Sequence, residues 1–420
     1  MAKKTSLNFF YENCCNIDFE DMLNLQSCKT TLPNGMPIYD TCASVEEMRE
    51  FNYASLKDCY IRDDHYLIFS GLRINPDDWA GWGEDQQPFI KYLSDANKQK
   101  MREGKALLLL DQTLEGYHDE RLWPWFHKVM EEENLPIESL IYNTGNLLAP
   151  KQYENYIGNN KNKMKVIGSA SFSKAVISQI ANGADYAIKI QDHYDYKGNN
   201  ETLTFNVLQK RPRFHRCWFF SALKTEQFLT EGIFSMQQFG VDLPEDLDKD
   251  GRKYEYDFNF ITSDLPHGPS NQERDDLYYI RRLNNDVCLK TFVTVVSEAS
   301  FFDSDDTLFI SEKTFKPIAS RHPFIIFGNR GSLKALKEMG FKTFDDFWDE
   351  SYDDLPTWER FDAIIKLMHD INKREDKLQM FREMEDILEH NFYTLMRMYY
   401  SPSSGCQEIM DYYREYFNVA

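Results

Sequence analysis

The run Ala106-Leu-Leu-Leu-Leu110 is five apolar residues with no polar alternation. It is far too short to cross a bilayer, and a strand with one face in water would alternate. Similar short runs, each ending in a polar or glycine-containing turn, occur at Tyr66–Ser70, Leu140–Tyr142 and Lys165–Ile167. Stretches of helical composition, Glu120–Glu133 and Pro150–Ile157, lie between them. Apolar runs spaced by helical segments read as parallel strands of βα units, buried on both faces.

The second half repeats the pattern. Phe205–Leu208, Thr291–Val296 and Pro323–Phe327 read as strands; His215–Thr225, Asp275–Leu283, Glu312–Ser320 and Ser332–Met339 read as helices. Pro356–Met398 predicts two or more helices, and Asp242–Asp250 an acidic surface loop. Residues 1–60 show no regular pattern. A chain of 420 residues outgrows a single core, so two domains are expected. The turn composition of Asp195-Tyr-Lys-Gly-Asn-Asn200 places the boundary near 200, giving domains 1–200 and 201–420. Hydrophobic residues at 42% and aromatics at 15% supply the cores and exclude a disordered chain.

The formal net charge of -20 repels phosphate backbones and anionic membranes, so a polyanionic partner requires a local basic patch. Lys151, Lys161, Lys163 and Lys165 are the candidates for one. Eight cysteines form no Cys-x-x-Cys pair or zinc spacing and read as buried, reduced thiols. The start of the chain lacks a continuous apolar leader, so the expectation is a cytoplasmic protein without membrane insertion.

In open parallel sheets, ligands sit at the carboxyl ends of strands. The segment Phe309-Ile-Ser-Glu-Lys-Thr-Phe-Lys-Pro-Ile-Ala-Ser-Arg-His-Pro-Phe-Ile-Ile-Phe-Gly328 combines a helix start with such an edge. Ser311 is a natural N-cap, and the helix it begins turns free amides and a positive dipole end toward an anion. Lys313 adds a mobile ammonium, and Glu312 is suited to accept hydroxyl hydrogen bonds from a ribose or sugar. The same residues also suit ordinary capping, with Pro317 shortening or kinking the helix.

Arg211-Pro-Arg-Phe-His-Arg216 follows the strand Phe205–Leu208. Arg211, Arg213 and Arg216 there suit the two phosphates of a nucleoside diphosphate, or make a solvated basic turn. Glu298, after the strand Thr291–Val296, is a further carboxylate placed to bind ligand hydroxyls. In the first half, Leu110-Asp-Gln-Thr-Leu-Glu-Gly-Tyr-His118 follows the most apolar strand and offers Glu115, Asp111 and His118 as competing general bases. The turn Thr144-Gly145-Asn146 is placed to line an acceptor, though turn formation alone accounts for it. Asp303-Ser-Asp305-Asp306 has the letters of a metal-binding Asp-x-Asp but lies in an acid-rich loop, so no metal site is expected.

The Ser311-to-Gly328 segment resembles the nucleotide-sugar motif of fucosyltransferase-like and exostosin-like GT-B enzymes, in which Ser/Thr-Glu-Lys-x-Phe precedes Ala, then Pro and an apolar strand ending in Gly. It is also similar to bacterial and phage glycosyltransferase-like proteins that continue with Gly331-Ser-Leu-Lys334, Gly340-Phe-Lys-Thr-Phe344 and Asp349-Glu-Ser-Tyr-Asp353, and that carry an Arg-Pro-Arg-x-His-Arg segment. The likeness is good over about residues 203–360 and weak before them. It implies a GT-B architecture of two Rossmann-like domains facing across a cleft, with a helical C-terminus. It implies a donor site at Arg211, Arg213, Arg216, Ser311, Glu312, Lys313 and Glu298 for a UDP- or GDP-sugar as co-substrate, with no permanently bound cofactor.

Inverting transfer, with Glu115 as first choice of base, follows from the same likeness, and metal-independent transfer follows if Lys313 and the arginines neutralise the diphosphate. The acceptor is a glycan, a small molecule or hydroxymethylated DNA; the last would suit a phage-encoded enzyme working in the host cytoplasm. A nucleotide-sugar-binding module without catalysis is the alternative of another class.

Overall fold

The computed structural model describes residues 8–11, 52–53, 65–71, 90, 93, 95–113, 116, 121–181, 186–209, 213–235, 283–400 and 404–418. The chain divides into two compact units, Met1–Ser171 with Ser401–Ala420, and Phe172–Tyr400.

In the first unit, strands β1 (Asn8–Tyr11), β2 (Asn52–Tyr53), β3 (Tyr66–Gly71), β4 (Ala106–Gln112), β5 (Leu140–Thr144) and β6 (Lys165–Gly168) form one sheet in the order β2-β1-β3-β4-β5-β6. Every pairing is parallel. β1 lies in the stretch the sequence left without pattern.

Strand alternation explains the leucine run. Ala106, Leu108 and Leu110 face one cluster with Trp123, Phe126, Val129 and Met130 of helix α2 (Leu122–Glu132) and Tyr153 of α3 (Ala149–Ile157). Helix α1 (Asp95–Arg102) adds Met101 to that cluster. Leu107 and Leu109 face the opposite cluster, where Ile409, Tyr413 and Phe417 of the chain's last helix, Ser404–Phe417, meet Leu67, Ile141 and Ile167. Tyr413 donates to the carbonyl of His65 at 2.7 Å, and the Phe417 ring stacks on the His65 ring. A Cβ on Gly405 would come within 2.1 Å of Ser169 Oγ, so only glycine lets the helix start this close to β6. The sequence assigned this helix to its second domain; by contacts it belongs to the first unit.

The second unit holds β7 (Leu203–Leu208), β8 (Gly232–Ser235), β9 (Thr291–Ser297) and β10 (Phe324–Phe327), parallel and in the order β10-β9-β7-β8. Helices α4 (Phe172–Ala181), α5 (Ile190–Asn199), α6 (Phe214–Thr225), α7 (Asn285–Lys290), α8 (Glu312–Ala319), α9 (Ser332–Glu338), α10 (Thr357–Asn372), α11 (Lys377–Glu383) and α12 (Glu385–Tyr400) surround it, so that the final helix is α13. Of the helix expected at 275–283, all but the last residue lies outside the described residues, as does the acidic loop 242–250.

The turn expected at 195–200 is instead mostly α5, despite Gly198. Two side chains of α5 are buried and hold it. His193 sends Nε2 to the carbonyl of Ser320 at 2.9 Å. Lys197 donates to the carbonyls of Cys288, Leu289 and Thr291 at 2.9, 2.8 and 2.6 Å, closing the end of α7. Burial draws the lysine's pKa down to about 7. Cys217 and Cys288 are free, buried thiols whose pKa burial raises, which fits the reading of buried cysteines at these two positions. Among the described residues no helix is long and apolar enough to cross a membrane.

A directional hydrogen-bond chain runs under the sheet. Asn206 Nδ2 donates to Thr291 Oγ1 and Thr294 Oγ1 at 2.7 and 2.9 Å. Thr291 Oγ1 donates its proton to the carbonyl of Val287, which leaves Thr294 Oγ1 to donate to His322 Nδ1 at 3.0 Å. His322 Nε2 then donates to the carbonyl of Thr291 at 2.9 Å. Burial, with Lys197 nearby, holds the pKa of His322 well below the usual value, and the neutral ring that results accepts the Thr294 proton at Nδ1. Burial lowers His193 to about 3 and His215 well below its ordinary range.

All three histidines therefore take up protons more readily unfolded than folded. The histidine contribution to stability is full above pH ~6.5 and falls below it, by up to roughly 1.4 kcal/mol per pH unit for each histidine. Denaturant titrations at pH 7 and 5.5 will show the loss, and His322→Gln will remove about a third of the histidine-dependent slope.

Candidate functional site

The carboxyl end of β9 organises the second unit. Glu298, the next residue, is fully buried. Its carboxylate accepts from Ser311 N at 3.1 Å, Ser311 Oγ at 2.5 Å, Thr314 Oγ1 at 2.6 Å and Ala299 N at 3.1 Å. The three bonds from Ser311 and Thr314 fasten the start of α8 to the end of β9. Gly328, beyond β10, permits the approach, because a Cβ there would stand 3.1 Å from Glu298 Cβ. The sequence placed Glu298 among hydroxyl-binding residues; both its oxygens are instead engaged by the chain's own donors.

Ser311 caps α8 as its sequence position suggests, accepting from Lys313 N at 3.3 Å while its own proton goes to Glu298. The Lys313 ammonium is engaged within the helix start: Nζ folds back to Ser311 Oγ at 3.1 Å and Glu312 Oε1 at 2.8 Å, with a quarter of the side chain exposed. Burial pushes the Glu312 carboxyl up, but Lys313 and Lys316 outweigh it and leave the pKa lowered. Pro317 falls in the last turn of α8, which ends two residues later.

The first turn of α6 reaches the same residues. His215 Nε2 donates to the carbonyl of Glu298 at 3.0 Å, and Arg216 Nη2 donates there at 2.9 Å and to the carbonyl of Ser297 at 3.3 Å. Arg213, exposed, donates to the carbonyl of Ala299 at 2.5 Å. Arg216 was expected to fork onto phosphate; its place on the inward side of α6 sends it to the backbone of β9 instead. Burial and the Arg213 charge lower its pKa to about 10. The local field is positive: after burial, Arg216, Arg213 and Lys313 all depress the pKa of His215. Arg211 lies outside the described residues.

The motifs past β10 turn out to support the fold. Asp353 accepts from the amides of Leu333 and Lys334, both at 3.0 Å, and thereby caps α9 from 20 residues away. Glu350 accepts from Phe344 N at 2.8 Å. Asp303, from the acid-rich loop, accepts from Thr357 N at 2.8 Å and from buried Arg360 at 3.1 Å, tying that loop to the start of α10. Among the described residues no group of three or more His, Cys, Asp or Glu is placed to hold a metal ion.

In the first unit, Asp111 pairs in register with Gly71 and Asn143 near the carboxyl end of β4, while Glu115 and His118 lie outside the described residues. Thr144 ends β5, and Gly145 and Asn146 follow it. Asn146 is buried and serves the start of α3, accepting from Leu148 N and donating to Gln152 Oε1, both at 3.0 Å. Of the candidate basic patch, Lys151, Lys161 and Lys163 are exposed, whereas Lys165 pairs with Glu408 of α13 at 2.9 Å. Sequence reasoning missed Ser297 and Gln209, which stand beside the cationic edge and whose only signal was their place at strand ends.

No protein-family model matches the chain, and no curated protein sequence matches it.

Replacing Glu298 tests the organising role of its carboxylate. Glu298→Gln turns an amide donor toward donors it must face and should destabilise the second unit by about 2–4 kcal/mol. Thermal melting should show this as a fall of roughly 5–15 °C.

Proposed function

We propose that this chain is a glycosyltransferase of GT-B type that binds a nucleoside-diphosphate sugar at the carboxyl edge of the β7–β10 sheet. One observation carries the reading. The starts of α6 and α8, flanked by Arg213 and Lys313, are fastened to the same three residues, 297–299, at the end of β9. Two helix starts and two accessible cations at one strand edge favour a diphosphate, in a chain whose net charge of -20 otherwise repels it. The likeness of Ser311–Gly328 to the nucleotide-sugar motif gives that diphosphate its chemical identity.

The reaction proposed is displacement at the anomeric carbon. A base takes the acceptor hydroxyl's proton, the oxygen bonds to the carbon, and the glycosidic electron pair leaves on the diphosphate. Arg213 and Lys313 offset the charge that develops there. Arg216 acts through position, holding the backbone at Ser297 and Glu298 so that both helix starts keep their aim. Glu115 remains the first choice of base, with Asp111 and His118 beside it in sequence; inversion follows from the likeness to fucosyltransferase-like enzymes.

A thermal-shift panel of UDP-, GDP-, CMP- and dTDP-sugars tests the donor site, because ligand binding raises the midpoint by mass action. One nucleotide class should raise it, by about 2.7 kcal/mol of added stability at a hundredfold excess over Kd. Lys313→Ala and Arg213→Ala should each weaken binding about tenfold or more. No shift with any nucleotide sugar, or shifts untouched by both substitutions, would sink the proposal.

A further inference from the structure

Three neighbouring strands of the second sheet, β10, β9 and β7, end in buried polar side chains with atoms that nothing satisfies. Gln209, just past β7, is 6% exposed, and neither its Nε2 nor its Oε1 has a hydrogen-bond partner among the described residues. Ser297, ending β9, is 2% exposed with Oγ likewise unpartnered. Asn329, past β10, donates Nδ2 to Ser300 Oγ at 3.2 Å but leaves Oδ1 unused. Counting on from the Asn206–Thr294 pair, Gln209 and Ser297 stand level on adjacent strands. Period-two alternation turns both to the same face, and neighbouring strands set them about 4.8 Å apart. Gln209 is fixed by its own amide, which continues the ladder by donating to the carbonyl of Ser235 at 3.0 Å.

Buried polar atoms almost always find partners, so a cluster of exceptions at a strand edge calls for an external one. The edge is the cationic one: the carbonyl of Ser297 is an acceptor for Arg216. The chemistry of the three side chains narrows the ligand. A primary amide and a hydroxyl both donate and accept, whereas phosphate oxygens only accept and would leave Gln209 Oε1 and Asn329 Oδ1 unsatisfied. A ring of hydroxyls donates and accepts as they do.

We propose that Gln209, Ser297 and Asn329 form a polyol subsite that reads the hydroxyls of the donor, on its ribose or on its transferred sugar, beside the diphosphate held by the helix starts. The inference rests on the donor-site reading above and names the residues that give it selectivity. In the free protein, Gln209 Nε2 and Oε1, Ser297 Oγ and Asn329 Oδ1 have no hydrogen-bond partner among the described residues.

The experiment measures the melting midpoint of the free protein and Kd by titration calorimetry. The ligands are UDP, dUDP and UDP-glucose, and the parallel series GDP, dGDP and GDP-mannose. The proteins are wild type, Gln209→Met and Ser297→Ala. Methionine keeps the length of glutamine and removes both polar atoms. Expected is a midpoint raised by roughly 2–4 °C in the free protein, with Kd weakened about tenfold.

Reading of the ribose appears as a loss for UDP and UDP-glucose that is much smaller for dUDP. Reading of the transferred sugar appears as a loss for UDP-glucose alone, and the guanosine series is interpreted in the same way. A lowered midpoint, unchanged Kd values in both variants, or an equal loss for every ligand including the 2′-deoxy ones would overturn the subsite. If Lys313→Ala abolishes binding while Gln209→Met leaves it intact, only the subsite fails. If wild type binds neither these ligands nor any other nucleotide sugar of the thermal-shift panel, the donor site fails with it.

Discussion

Burying the Glu298 carboxylate is tolerable only because four donors surround it, and the geometry of the second unit follows from that requirement. The donors come from the residue after it and from the first turn of α8, so satisfying the charge fixes a helix start against a strand end. Its carbonyl draws in His215 and Arg216, which brings the start of α6 to the same point. One residue thus sets the relative places of two helix starts through both its side chain and its backbone. The accessible cations Arg213 and Lys313 inherit their positions from it.

The same device recurs through the unit. Neither α9 nor α10 is capped by the residue at its start; Asp353 and Asp303 reach their first amides from 19 or more residues away in sequence. At the opposite polarity, Lys197 closes the carboxyl end of α7 from nearly a hundred residues upstream. Each such cap joins two elements while satisfying backbone groups that would otherwise be orphaned. The order of the unit therefore resides in long-range charged hydrogen bonds as much as in its aromatic core.

That is also why the fold was more legible than the site. Ala106–Leu110 announces a strand covered on both faces, and each of the other expected runs is a strand, because burial on both sides leaves a mark in local sequence. The short edge strand β8 leaves little mark, with four residues of which only Phe234 is buried. Gly198, Asn199 and Asn200 spell a turn by composition, and the burial of His193 and Lys197 against distant partners overrides them. Ser311 was legible as a cap since its partner is two residues away. Glu298 and Arg216 read as ligand groups, because nothing nearby in sequence reveals that their partners lie on other elements.

The first unit depends on distant sequence in a different way. One face of its sheet meets Ile409, Tyr413 and Phe417, more than two hundred residues downstream of its last strand. During synthesis, strands β3 to β6 leave the ribosome on the order of tens of seconds before α13 does, at ordinary rates of elongation. Through that interval Leu107, Leu109, Ile141 and Ile167 lack the helix that covers them in the finished protein. The unit begun first is therefore completed after the one that follows it, and a chain released before α13 would leave an apolar sheet face for chaperones to hold.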